Sequence, residues 1–578
     1  MNDDGILDAD VFIEEGVIRN VGPNLIVPGG CRVIDAKGQY VIPGGIDPHT
    51  HFDAEFMSAK TADDFYTGSR AAVAGGTTTV INHIIPTNPN ASVLDAFKKA
   101  RAIADDRACC DYGFHVSITN FHEASTERDI ELLTKEGVNS FKMFLAYKDY
   151  LQLSDDKLLK VFDICKRLGA LPLVHAENGD VIDFLSKKLI KAGITGPEGH
   201  IQSRPDEVEA EATKRAITFA DAVGVPLYVV HVMSAAAAEE INRARTNGKV
   251  VFGEVVTPAL ALDGNHCLNR CWSHAAAHIM SPPLRTDPET PGKLFNFLGA
   301  GQLQTTGSDH CVFQTKDKKL GENDFRKIPN GVNGVEERLA ILWEKGVKQG
   351  KLTLQDFVAV SSSNAAQIFN MYPRKGRIAI GSDADVVVFG RKPSVISRNN
   401  HHSNCDFNVF EGLQTEYNPI VVIQAGRVVL DEDGKLTVIQ GSGRFIPRQP
   451  FTSLCFSRLQ NRDLYLGPFK VDRSGQVKDS KNGHGIPSAI QATPPKVIEK
   501  PISIVTEIEA GGHSPLSSAS STGSLTPTGF HKTITKSGVR SQQDSNFKIT
   551  GQQIDDDRLG RTSVKLHQPP GGKSSGLW

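Results

Sequence analysis

Two histidines two residues apart, His49 and His51, close the run Pro43-Gly44-Gly45-Ile46-Asp47-Pro48-His49-Thr50-His51. On a strand, residues i and i+2 share a face, so both imidazoles would point the same way. A lone His-x-His pair is weak evidence, because solvent-facing histidines also occur at that spacing. Three other segments strengthen it. His175 closes Ala170-Leu171-Pro172-Leu173-Val174, His231 closes Pro226-Leu227-Tyr228-Val229-Val230, and Asp309 follows Leu303-Gln304-Thr305-Thr306-Gly307-Ser308. Four imidazoles and a carboxylate form a donor set suited to a borderline divalent cation. Lys142 ends a further run, Ser140-Phe141-Lys142-Met143-Phe144. Beside cations, repulsion and burial both favour its neutral amine. That amine can take up carbon dioxide to give a carbamate, whose two oxygens can bridge a metal pair about 3.5–4 Å apart. A plain Lys142–Asp309 salt bridge is the alternative, and spacing does not choose between them. Metal-held water ionises near pH 7–9, roughly, and Asp309 is then the candidate general base, moving a proton from water to a leaving nitrogen. Tyr147, five residues past Lys142, stands where a hydroxyl can donate to an oxyanion. From position alone, aromatic packing in a loop is the slightly better account of it.

Such convergence needs a scaffold that brings distant strand ends together. Eight apolar strand candidates end near His49, Asn82, Thr119, Lys142, His175, His231, Glu254 and Asp309. Amphipathic stretches lie between them, such as 154–168, with Ser154 placed to cap it, and 205–223. Strand and helix alternation predicts an α/β fold with a parallel sheet and helices outside. Eight strands suggest a closed (β/α)8 barrel of the TIM type, which presents strand-end residues at its C-terminal mouth. A doubly wound open sheet would want a glycine-rich phosphate turn after an early strand, and none is present. Before the barrel, 10–13 and 30–34 alternate as strands do. After it, 383–389 and 420–430 do the same, followed by the hairpin signal Asp431-Glu432-Asp433-Gly434. The two ends are expected to pair into a small β-sandwich, dividing the chain into 1–42, 43–372 (barrel), 373–450 and a tail, 451–578.

At 578 residues the chain exceeds one compact domain. From about Thr452 it turns rich in Ser, Thr, Pro, Gly and Lys, a composition expected to be disordered. Thr493, Ser514 and Thr526 each precede a proline there, which suits either a solvated linker or a target for proline-directed kinases. Lys+Arg 64 against Asp+Glu 66 leaves a net charge of -2, with no footprint for nucleic acid or an anionic membrane. No apolar stretch is long enough to span a bilayer, and the acidic opening Met1-Asn2-Asp3-Asp4 is unlike a signal peptide, so a cytoplasmic address is expected. Nine cysteines without framework spacing suit reduced thiols. His266, Cys267, Cys271 and His274 carry the right atoms for zinc, but with no Cys-x2-Cys knuckle they rank well below the strand-end set.

Three longer motifs, in order, resemble the dihydropyrimidinase and hydantoinase branch of the amidohydrolase superfamily. They are Gly137-Val138-Asn139-Ser140-Phe141-Lys142-Met143-Phe144-Leu145-Ala146-Tyr147-Lys148, His175-Ala176-Glu177-Asn178-Gly179-Asp180, and Gly193-Ile194-Thr195-Gly196-Pro197-Glu198-Gly199-His200 running into Ser203-Arg204-Pro205. The resemblance spans nearly the whole chain before the tail. It implies that His49, His51, Lys142 as its carbamate, His175, His231 and Asp309 hold two Zn2+ per subunit. It also implies that Tyr147, Ser281 and Asn330 hold a cyclic imide, that the barrel carries a sandwich from both termini, and that four subunits assemble. The implied reaction opens dihydrouracil to N-carbamoyl-β-alanine, or acts on a related cyclic ureide. The segments Gly551-Gln552-Gln553-Ile554-Asp555-Asp556-Asp557, Pro569-Pro570-Gly571-Gly572 and Gly441-Ser442-Gly443-Arg444-Phe445-Ile446-Pro447-Arg448 are similar to the collapsin response mediator proteins. Those are non-enzymatic relatives that bind tubulin, so cytoskeletal or kinase partners through the tail, and a scaffolding role, form the alternative. The chain departs from the enzyme pattern at Asp53 and Glu55, at His310, and at its opening, which falls where the first sandwich strand would already have passed. Asp53 stands where a dihydroorotase uses arginine. A carboxylate there is expected to repel an anionic ring, favouring a neutral ureide over dihydroorotate, with allantoin a lesser alternative.

Overall fold

The computed structural model describes residues 1–87 and 91–466, with side chains through 459. Its strands are β1 (Asp10–Glu14), β2 (Val17–Gly22), β3 (Tyr40–Pro43), β4 (Gly45–Thr50), β5 (Glu55–Phe56), β6 (Ala59–Lys60), β7 (Thr77–Ile84), β8 (Asp111–Ser117), β9 (Ser140–Phe144), β10 (Leu171–His175), β11 (Leu227–Val229), β12 (Val251–Val256), β13 (Thr305–Gly307), β14 (Val386–Val395), β15 (Gln414–Gln424) and β16 (Arg427–Leu430). Eight of them, β4 and β7 to β13, form one parallel sheet in chain order. The sheet closes where the His51 N–H donates to the His310 carbonyl at 2.9 Å and Ser308 Oγ donates to the His49 carbonyl at 3.1 Å. Every residue of β7, Thr77–Ile84, is buried, as is every residue of β8, Asp111–Ser117. A strand covered by helices on one face and barrel interior on the other has no solvent side, so its sequence need not alternate.

The helices that cover the barrel follow from local signals. Asp155–Leu168 stops at Gly169, whose φ of 68° is left-handed and where an added Cβ would collide with the Phe451 ring. Ser154 occupies the N-cap position as expected, but its hydroxyl bonds Asp156 at 2.6 Å rather than a backbone N–H. Asp206–Val223 likewise ends at a left-handed glycine, Gly224.

Outside the barrel, β16, β15, β14 and β3 form an antiparallel sheet, with Val386–Phe389 of β14 pairing against Tyr40–Pro43. The β1–β2 ribbon joins through the Ala384 N–H to the Gly16 carbonyl, 2.8 Å, and packs Ile18 against Ile378, Ala384 and Val386. Segments from both sides of the barrel therefore meet in a four-stranded antiparallel sheet beside a separate two-stranded ribbon, with β3 rather than residues 10–13 supplying the N-terminal strand. The segment 30–34 is an exception: it forms no strand, and Val33 is exposed. Between barrel and sheet lies a buried ionic knot. The Lys375 ammonium contacts Asp111 of β8, Asp383 and Asp385, and Arg444 adds contacts to Asp111 at 2.6 Å and Asp383 at 2.8 Å.

The expected tail boundary at 451 needs correction. Ser453–Leu466 is helical, and Cys455, Phe456 and Leu459 are buried beside Ile368 and Phe369. Three apolar residues at helical spacing secure this turn of chain although its composition is already polar. The Ser/Thr-Pro positions Thr493, Ser514 and Thr526, and the mediator-like motifs after 550, lie outside the described residues. Among the described residues no helix is long and apolar enough to cross a membrane, and all nine cysteines are unpaired.

Candidate active site

The strand ends deliver the predicted donors to one place. His49 Nε2 and His51 Nε2 each lie 3.1 Å from Asp309 Oδ1 and 3.3 Å from one another. The His231 ring centre is 5.4 Å from that of His49 and 4.5 Å from that of His175. All five are buried. His51, Lys142, His175, His231 and Asp309 line one pocket with Tyr147, Ser281 and Asn330. Three of these residues carry left-handed backbone without being glycine: Tyr147 (φ 61°), His231 (φ 38°) and Asp309 (φ 50°). Such strain costs about 1–3 kcal/mol per residue and concentrates at functional sites.

Carboxylates behind the imidazoles fix which nitrogen is free. His49 Nδ1 donates to Glu254 Oε1 at 2.6 Å, so Nε2 is the nitrogen that faces Asp309. Glu254 also receives the His231 N–H (3.1 Å) and the Tyr228 hydroxyl (2.8 Å). His175 Nε2 donates to Glu177 Oε2 at 2.6 Å, and Arg204 pins the same oxygen at 2.6 Å. Carboxylate-backed imidazoles of this kind are the usual support of metal-ligating histidines. His51 Nδ1 and His231 Nδ1 are buried without hydrogen-bond partners. Burial disfavours charge on His49, yet Asp309 and Glu254 raise its pKa to about 9. This corner of the pocket thus favours positive charge, and the donor set fits a divalent cation. Burial pushes Lys142 down to about 8 against the same two carboxylates, and it makes no close ion pair with Asp309, so the salt-bridge alternative lacks a contact to support it.

The opposite wall is polar and internally linked. Asn330 Nδ2 donates to Ser281 Oγ at 3.0 Å and to the Tyr147 hydroxyl at 3.3 Å, while Asn330 Oδ1 is buried and unpartnered. Burial raises the Tyr147 pKa to about 12, so its hydroxyl keeps its proton. The segments bearing Ser281 and Asn330 are joined by buried Lys318, whose Nζ donates to the carbonyls of Ile279 (3.0 Å), Pro329 (2.7 Å) and Gly331 (2.8 Å). Phe56, Ile85 and Phe144 supply the apolar lining.

Two expectations about the mouth change. Asp53 does not line the pocket: its carboxylate accepts the Phe65 N–H at 3.1 Å, at the start of helix Phe65–Ala74, and pairs with Lys60 at 3.1 Å. Glu55, in the small hairpin β5–β6, is exposed. The repulsion argument from Asp53 therefore fails, because a left-handed turn at Asp53 (φ 54°) swings the charge to a helix terminus. His310 also serves structure, with Nε2 on Asp63 at 2.8 Å. Sequence reading assigned no role to Glu254, although it marked a strand end, nor to Glu177 and Arg204. It also missed His83, whose ring lies 4.3 Å from that of His49 and 5.1 Å from that of His51. Its signal was a second polar residue beside Asn82, whose Oδ1 accepts the Phe52 N–H at 2.7 Å. Of the weaker cluster, His266 and His274 meet at 3.0 Å, with His278 and not the two cysteines completing the group.

An eight-stranded parallel barrel holding four imidazoles, a lysine and a carboxylate at its mouth defines the class: a TIM-type barrel with a candidate metal centre. The amidohydrolase family model matches residues 40–429, and the chain belongs to that family, in its dihydropyrimidinase and hydantoinase branch. A dihydropyrimidinase of Rattus norvegicus is 50% identical over 479 residues, covering 82% of this chain and 92% of that protein. The dihydropyrimidinase-related protein 5 of Mus musculus is 43% identical over 581 residues, covering 100% of this chain and 97% of its own length. A D-hydantoinase structure from Bacillus sp. AR9 superposes with a TM-score of 0.75 at 43% identity, covering 78% of this chain and 97% of that one.

Proposed function

We propose that the protein is a hydrolase that opens the cyclic amide of 5,6-dihydropyrimidines, converting dihydrouracil to N-carbamoyl-β-alanine, or of a related cyclic ureide. The observation that carries this reading is the donor set at the barrel mouth, His49, His51, His175, His231 and Asp309 with Lys142, facing a wall of Tyr147, Ser281 and Asn330. The proposed cofactor is a pair of Zn2+ ions held by the six residues, with Lys142 carboxylated. When bound, the ions supply Lewis acidity and a water acidic enough to attack at neutral pH.

The chain's own groups supply the rest. Water adds to the ring carbonyl carbon, the C–N bond breaks, and the departing nitrogen takes a proton. Asp309, bonded to both His49 and His51, receives the proton of the attacking water and returns it to that nitrogen. The protonated Tyr147 hydroxyl donates to the oxyanion. Ser281 and Asn330 hold the imide edge, with the unpartnered Asn330 Oδ1 as acceptor for a ring N–H. No arginine is among the described residues that line the pocket, which supports a neutral ring in place of the repulsion expected from Asp53.

The homotetramer implied by the resemblance, a cytoplasmic location consistent with nine unpaired thiols, and tail partners of cytoskeletal or kinase type complete the proposal. A second reading, a non-catalytic scaffold, draws support from the full-length likeness to the mouse related protein. The decisive assay offers zinc-loaded protein dihydrouracil, with hydantoin and allantoin for comparison. The expected result is turnover of dihydrouracil above that of allantoin. No turnover of any of them by metal-replete protein would overturn the hydrolase reading and favour the scaffold.

A further inference from the structure

Away from the barrel mouth, three imidazoles gather at a second place. His266 lies on the 3-10 turn Gly264–Leu268, His274 in the short helix Trp272–Ala277, and His278 just past its end. Residues 274 and 278 are four apart and share a helix face. His266 Nδ1 and His274 Nε2 are 3.0 Å apart, and one donor nitrogen from each of the three rings lies within 4.8 Å of the others. The ring centres of His266 and His274 are each within 4.5 Å of that of His278.

Which nitrogens are free follows from the hydrogen bonds. His278 Nδ1 is 2.7 Å from the His274 carbonyl and must donate to it, so the lone pair sits on Nε2. That Nε2 is buried beside the Val409 backbone and has no hydrogen-bond partner among the described residues. His266 and His274 can share only one proton across their contact, and among the described residues no carboxylate bonds any of the three rings. Burial and mutual repulsion push His278 down to about 4 and lower His274 as well, which keeps lone pairs available at neutral pH. His266 and His274 are only half-buried, which leaves an entry path.

We propose that His266, His274 and His278 form a second divalent-metal site, of the three-imidazole class that suits zinc, with a fourth position open to solvent. A cation there would tie the 3-10 turn to the segment that carries Ser281 three residues later. The inference does not depend on the barrel centre.

The test uses full-length protein stripped by chelation, dialysed against zinc, washed, and analysed for zinc per chain. His266→Asn, His274→Gln and His278→Phe should each hold one zinc fewer than the parent. Equal zinc content in parent and variants would overturn the site and leave a hydrogen-bonded aromatic cluster. The result is a difference, so it stands whether or not the barrel loads; a barrel that fails to load lowers parent and variants alike. Should a variant not fold, the parent alone decides: bound zinc should protect His266 and His274 from imidazole acylation mapped by mass spectrometry, and unchanged acylation would overturn the proposal.

Discussion

Glu254 contributes no atom to the pocket lining, yet the structure makes it a strong test of how the centre is held. Its carboxylate receives His49 Nδ1 at 2.6 Å, the His231 N–H at 3.1 Å and the Tyr228 hydroxyl at 2.8 Å. Glu254→Gln keeps the shape and an acceptor oxygen for His49 and His231. Its new amide donors meet Tyr228, which can turn its own proton to Thr305 Oγ1, 2.7 Å away. What is lost is the negative charge. A hydrogen bond to a charged group contributes ~1.5–3 kcal/mol, against ~0.5–1.5 for a neutral pair. The difference, ~1–1.5 kcal/mol, is about tenfold in an equilibrium constant, at the low end of the 10–100-fold, roughly, seen when carboxylates behind metal ligands are replaced. Glu254→Ala should cost more, since it strands the buried His49 and His231 donors. Zinc affinity measured by competition with a chromophoric chelator should weaken in the order parent, Gln, Ala, with turnover following. Unchanged zinc affinity in Glu254→Gln would refute the claim that this charge organises the centre.

Asp309→Asn should keep the fold and lower kcat by about 10²–10⁴-fold, since the proton carrier is gone; activity within about tenfold of the parent would contradict that role. Lys375→Met leaves Asp111, Asp383 and Asp385 buried without their central cation and should destabilise by about 3–5 kcal/mol, seen as a lower Tm at neutral pH; an unchanged Tm refutes it. Burial raises the Asp111 pKa, but Lys375 and Arg444 overcome this and hold it at about 2, below its ordinary 3.8. A carboxylate depressed in the folded state stabilises fully above its unfolded value, so this contribution should vanish as pH falls from about 4 to 2. Chemical denaturation across that window should show declining stability in the parent and a weaker decline in Lys375→Met. Removing residues after Leu466 should leave kcat intact, because the described pocket lining ends at Gly331; a large fall would show that the removed segment reaches the site. The cut belongs there and not near 452, because Cys455, Phe456 and Leu459 are core residues.

Much of the barrel could be read from the chain, since fully buried strands leave apolar runs and the chemistry sits where those runs stop. His175 closes β10, and His231 and Asp309 follow β11 and β13 by two residues. Groups that act through another side chain were less legible. Glu254 and Arg204 are recognisable only once His49 and His175 have positions, because a buried polar residue looks alike in sequence whether it backs a ligand or closes a hydrogen bond. Asp53 was misjudged for the opposite reason: its number places it near the mouth, but the left-handed turn that redirects it leaves no glycine to signal it. His278 escaped notice because only His274 is close to it in sequence, four residues away, while His266 lies twelve residues away across an irregular turn. At 30–34 the alternating pattern was present, but no neighbouring strand takes up its hydrogen bonds.

The Lys318 ammonium, holding carbonyls on both sides of the polar wall, constrains how this pocket can diversify. Ser281 and Asn330 lie 49 residues apart, yet their backbones answer to one amine that burial brings to a pKa of about 7. Grafting either loop alone from a relative with a different ring preference would misplace the carbonyls on the other side, so ring preference should transfer only when 279–281, 318 and 329–331 travel as a single inherited module.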